Sequence, residues 1–136
     1  MMTKPEAQPV PTHDHAASGR HTIRVAAEAL AALADALDGA FEQAVARVLQ
    51  LKGRLIVTGI GKSGHIGQKI AATLASTGTT AHFVYPSEAS HGDLGMITRD
   101  DAVLAISWSG ETVELGNILT HTRRFAVPLI AITSKA

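Results

Sequence analysis

The chain has no cysteine among its 136 residues. Disulfides, thiolate metal centres and cysteine nucleophiles are therefore excluded. An excess of charge of either sign is missing too. Twelve Lys and Arg balance twelve Asp and Glu, giving a formal net charge of +0. Nucleic-acid and polyanion binders carry a basic excess, so the balance argues against that class. It leaves room for a local site that holds one small anion. Long hydrophobic runs are also lacking: no stretch approaches the roughly 20 apolar residues that span a bilayer. The first 18 residues are polar, contain Pro5, Pro9 and Pro11, and have no apolar core of a signal peptide. The expectation is a soluble, cytoplasmic protein with a disordered tail over residues 1–18 and one domain over 19–136. His13 and His15 fall in that tail, where disorder outweighs metal binding as a reading.

What is present is an alternation of periodicities. From Arg20 to Leu37, Ile23, Ala26, Ala27, Leu30, Ala34 and Leu37 recur at helical spacing, punctuated by Asp38 and Gly39. A second helix places Phe41, Ala44, Val45, Val48 and Leu49 on one face, with Gly53 expected as its C-cap. Leu55-Ile56-Val57 then reads as a strand buried on both faces. Ile66, Ile70 and Leu74 return to helical spacing. Further strands are expected at Ala81–Tyr85, Ala102–Ile106 and Leu129–Ile132, with a helix from Thr112 to about Arg124 and a long loop from Tyr85 to Asp101. The order αα-βα-β-βα-β predicts an α/β fold on a parallel sheet, preceded by two helices. The apolar stretch Val127–Thr133 reads as an inner strand. An inner strand needs cover on both sides, so a fragment of a longer domain is expected.

Two loops follow strands and precede helices. The first is Gly59-Ile60-Gly61-Lys62-Ser63-Gly64. Its glycines allow a tight turn and close approach of a ligand. The helix start offers free N–H groups, Lys62 a charge and Ser63 a hydroxyl, which together suit an anion. A Walker A loop is excluded, because its first glycine would fall at Ile56. The dinucleotide fingerprint G-x-G-x-x-G is matched literally, but Glu88 comes late for the expected acidic residue. A plain strand-to-helix turn also fits. The second loop, Ser107-Trp108-Ser109-Gly110-Glu111-Thr112, surrounds a glycine with three hydroxyls. Such residues cap helices, but they also suit phosphate oxygens. Two such loops at strand ends converge on the crevice where open α/β sheets bind ligands, which favours a phosphate.

On Ser107-x-Ser109-Gly110-Glu111-Thr112 and Gly59-x-Gly61-Lys62-Ser63-Gly64, the sequence resembles the sugar isomerase (SIS) domain family. Two stretches bring it closest to the D-arabinose-5-phosphate isomerase branch: Gly59 to His65, and Ser87 to Met96 with His91 and Asp93. The resemblance implies a three-layer α-β-α fold with a flavodoxin-like or Rossmann-like parallel sheet. It implies interconversion of D-arabinose 5-phosphate and D-ribulose 5-phosphate through an enediol(ate), feeding lipopolysaccharide synthesis. The alternative within the family is a phosphosugar-binding module without catalysis. Gly61, Ser63, Ser107, Ser109, Gly110 and Thr112 would hold the phosphate. Glu111 is the first candidate acid/base, although a carboxylate there also complements a helix dipole. Lys62 would stabilise the enediolate or orient the sugar.

His91 would face the active site, assist ring opening, or bind an inhibitory divalent metal; a loop-structuring role fits its position as well. Asp93 would orient His91 or cap the turn, and His65 would support the site. His82 reads as structural and His121 as solvated. No organic cofactor is implied, and the assembly expected is a homo-oligomer, a tetramer by resemblance. Trp108 departs from the pattern, since that branch commonly carries Asn there. A further glutamate and histidine come from downstream segments in the family, so little or no turnover is expected from these 136 residues alone.

Overall fold

A computed structural model describes residues 14–89 and 92–135. Two compact units are distinguished, the first ending at Ala40 and the second running from Phe41. The first holds helix α1, His15–Asp35. It starts five residues earlier than the apolar spacing alone marks, because Asp14 accepts a hydrogen bond from the Ala17 N–H at 2.8 Å and caps it. Residues 15–18, expected in the tail, are thus helical. Helix α2 spans Gly39–Leu49, and Asp38 accepts from the Ala40 N–H at its start.

The second unit is built on four parallel strands: β1 (Leu55–Gly59), β2 (Ala81–Phe83), β3 (Ala102–Ile106) and β4 (Leu129–Ile132). Their order is β2-β1-β3-β4, all pairs parallel. Helix α3 (Gly61–Ser76) connects β1 to β2, and α5 (Gly116–Phe125) connects β3 to β4. The chain moves outward in opposite directions from β1 and from β3. Right-handed crossovers then place α3 and α5 on opposite faces of the sheet. The core divides accordingly. Leu55, Val57, Ala81, Ala102 and Leu104 meet Ala71 of α3 on one face, with Val48 of α2 beside them. Ile56 and Val103 meet Ile118 of α5 and Val127 on the other, with Ala89 and Ile97. This is the expected three-layer α-β-α arrangement.

Four expectations are corrected. Gly53 does not cap α2, which ends at Leu49. It is glycine because a Cβ there would lie 2.4 Å from Asp101 Oδ1 and 2.8 Å from the Asp100 backbone. Ile66 is exposed, while Ile70 and Leu74 of the expected face pack partly buried against the core beside the fully buried Gly64, Gly67 and Ala71. The stretch after β2 is less irregular than expected: α4 (Pro86–Ala89) and a 3-10 turn at Asp93–Met96 occupy it. The helix expected from Thr112 begins as a 3-10 turn at Val113–Leu115 and becomes α-helical only at Gly116. Among the described residues, β4 pairs with β3 alone.

Candidate functional site

The strand order places the reversal between β1 and β3, and their register pairs Gly59 with Ile106. The two loops therefore leave the sheet side by side at its carboxyl end, the position where open α/β sheets hold ligands. The first loop is drawn tight by its glycines. Gly61 has φ +56°, which an L side chain adopts at a cost. A Cβ on Gly64 would stand 2.8 Å from the Gly59 carbonyl oxygen, so the start of α3 sits directly on the end of β1. Ile60, the residue before the helix, makes no side-chain cap, which leaves the first N–H groups of α3 uncapped by it. Lys62 and Ser63 ride on this first turn; Lys62 is exposed, Ser63 half-buried. His65, one turn in, is exposed as well.

The second loop folds around Ser107, which is buried. Its Oγ lies 2.6 Å from Thr112 Oγ1 and accepts from the Gly110 N–H at 3.1 Å. Ser109 Oγ accepts from the Glu111 N–H at 3.2 Å. Gly110 closes the turn with φ +71°. Thr112 is extended, and its hydroxyl turns back to Ser107 rather than capping the helix ahead. The capping reading thus fails for Thr112. Hydroxyls and N–H groups are gathered on one small concave turn, each able to re-pair with an oxyanion. Glu111 is exposed, and its Oε2 lies 3.7 Å from Lys135 Nζ. Trp108 is 81 % exposed.

Of the sequence-derived residues, Gly61, Lys62, Ser63, Ser107, Ser109, Gly110, Glu111 and Thr112 lie on these two adjacent loops. His91 lies outside the described residues, and so does its relation to Asp93. His121 is half-buried rather than solvated: its Nε2 is 3.1 Å from the Ile97 carbonyl oxygen and its ring lies 4.5 Å from the Phe125 ring, tilted by 43°. His82 projects to solvent from β2. Sequence reasoning missed Thr133-Ser134-Lys135, which follows β4 and closes over the second loop. The Trp108 carbonyl accepts from the Ser134 N–H at 3.1 Å and from its hydroxyl at 2.6 Å. The signal was a pair of hydroxyl residues directly after an apolar strand, as Ser107 and Ser109 follow β3.

Comparison with known proteins identifies the relatives of this chain. The model of the SIS domain family matches residues 49–136. The chain is 50% identical over 116 residues to the arabinose 5-phosphate isomerase KdsD of Pseudomonas aeruginosa, covering 85% of this chain and 36% of that protein. It is 46% identical over 125 residues to KdsD of Shigella flexneri, covering 92% and 38%. The chain thus spans little more than a third of the length of these relatives. A structure from Escherichia coli CFT073 in complex with A5P superposes with a TM-score of 0.83 at 38% identity, over 88% of this chain and 64% of that one.

Proposed function

Because the chain belongs to the SIS-domain family, we propose that it forms the phosphosugar-binding part of an aldose–ketose isomerase that interconverts D-arabinose 5-phosphate and D-ribulose 5-phosphate. The observation that carries the reading is the turn in which the Ser107 and Thr112 hydroxyls and the Gly110 N–H meet, beside the Gly59–Gly64 loop. Its support is the identity to proteins named for that activity. In this reading the hydroxyls of Ser63, Ser107, Ser109 and Thr112 and the start of α3 hold the phosphate. Glu111 acts as the base at C2 and returns the proton to C1, while the hydroxyl proton passes from O2 to O1. Lys62 stabilises the enediolate oxygen as charge develops.

The reading extends to a cytoplasmic homo-oligomer, a tetramer, that needs no organic cofactor and takes no nucleic acid or membrane partner. His91 is its proposed site for an inhibitory divalent metal. No described helix is long and apolar enough to cross a membrane. Calorimetry with D-arabinose 5-phosphate and with NAD tests the ligand. Binding of the sugar phosphate alone is expected; binding of NAD without it overturns the proposal. In a longer form of the protein that includes the downstream segments, Glu111→Gln should abolish exchange of the C2 proton and leave phosphate binding in place.

A further inference from the structure

The proposed site contains an electrostatic conflict. Glu111 lies in the same six-residue turn as the phosphate-holding hydroxyls. A carboxylate beside a phosphate carrying nearly two negative charges opposes binding. Lys62, on the neighbouring loop, pairs with no carboxylate among the described residues, and its charge serves the sugar in the reading above. A second cation does meet Glu111: Lys135 Nζ lies 3.7 Å from its Oε2.

The backbone that carries Lys135 is fixed to the turn. Ser134 donates its N–H and its hydroxyl to the Trp108 carbonyl, at 3.1 and 2.6 Å. Thr133 Oγ1 accepts from the Lys135 N–H at 3.2 Å and would lie 3.1 Å from a Cβ on Gly110. An exposed ion pair contributes little when both side chains are free to wander. Here three residues after β4 aim one partner at the other. A ligand that covered the turn would displace water and strengthen the interaction.

We infer that Lys135 is a positioning residue of the anion site: it compensates the Glu111 carboxylate at the mouth of the Ser107–Thr112 turn, so that a phosphate binds beside that carboxylate. The inference rests on the phosphosugar reading of the site. It differs from a direct phosphate contact, because Lys135 acts through Glu111.

A double-mutant cycle tests it, with inorganic phosphate and D-arabinose 5-phosphate as calorimetric probes. Lys135→Met should weaken both ligands about three- to fivefold at low salt, the range an exposed pair supplies. Lys135→Arg should restore wild-type affinity within about twofold. In the Glu111→Gln background, Lys135→Met should have no further effect, and added salt should shrink the difference between wild type and Lys135→Met. An equal loss in both backgrounds would mean direct contact with phosphate and overturns the inference. Unchanged binding by Lys135→Met also overturns it. Wild-type protein that binds neither probe overturns the reading of the site itself, a separate result. Lys135 is exposed and makes no core contact, and matching thermal midpoints would exclude unfolding as the cause.

Discussion

At the scale of single residues, the clearest commitment lies at the end of the sheet opposite the proposed site. Asp101 is 2% exposed, yet charged. Its carboxylate accepts from the Arg54 N–H at 2.7 Å, the Thr98 N–H at 2.8 Å and the Thr98 hydroxyl at 2.9 Å, with Arg54 Nε at 3.5 Å. Burial alone would raise its pKa, but the hydrogen bonds from Thr98 and Arg54 and the Arg54 charge together outweigh burial and hold it below 3.8. A lowered folded value contributes stability that is complete above the unfolded value, about 3.9, and is lost as pH falls through the folded one. Asp101→Asn would turn an amide N–H₂ toward donors and should cost about 2–4 kcal/mol at pH 7. Urea midpoints from pH 7 to 3 check both points: the gap between wild type and variant should stay flat to about pH 5 and narrow below about pH 4. A gap that ignores pH would remove the carboxylate's charge from the account. The same corner shows why single residues are hard to read from sequence. Gly53 looks like a helix cap in the chain, and its real neighbour, Asp101, is 48 positions away by number. Lys135 escaped for the same reason: only β4, running beside β3, brings it to Glu111.

At the scale of elements, the strands were legible and the helix faces only in part. β1 and β3 are short apolar runs, and burial on both faces of a parallel sheet leaves no other pattern to compete. The glycine and hydroxyl loops were legible because turn chemistry is local. The face of α3 was legible only in part: Ile70 and Leu74 pack on the core as expected, whereas Ile66 is exposed and the most buried residues are the small Gly64, Gly67 and Ala71. The consequence is that Gly→Ala, which adds helix propensity, should change sign with position. At Gly19 in α1 nothing stands within 4 Å of an added Cβ, so Ala should stabilise the helix by about 0.5–1 kcal/mol. At Gly67 the Cβ would meet the Phe83 ring at 2.8 Å, a side chain that can give way in part. At Gly64 it would meet the Gly59 carbonyl oxygen at 2.8 Å, and backbone cannot yield without moving β1 or α3. Gly64→Ala should therefore cost most, about 2–3 kcal/mol, and Gly67→Ala about 1. Chemical denaturation of the three variants gives the order. Gly64→Ala should also weaken phosphate binding, because it parts the loop from the strand; unaltered affinity would detach α3 from the site.

At the scale of the whole molecule, the sheet presents the chemistry at its carboxyl end and a problem at one edge. Among the described residues β4 has a partner on one side only, and Leu129 and Ile132 are exposed. Val127 to Thr133 contains no charged residue, and its one proline, Pro128, precedes the strand. Edge strands that stay apart usually carry lysines, prolines or bulges that deny pairing to another chain. This one carries none of them within the strand, so its free N–H and C=O groups and apolar side chains can add to a second strand. Self-association that grows with concentration is the expected behaviour of this polypeptide. Ile132→Lys places a charge on the exposed side chain while β3 keeps its ladder through the backbone. The variant should fold with a similar urea midpoint, within about 0.5 kcal/mol for an exposed position, and sediment as a smaller species at the same concentration. The comparison also separates two kinds of assembly. If Ile132→Lys removes all association, the edge is its sole route. If a defined oligomer of wild-type size persists while light scattering at high concentration falls, the oligomer proposed above forms through other surfaces and the edge drives only its aggregation. Sedimentation identical to wild type at every concentration would show that β4 is not an adhesive edge at all.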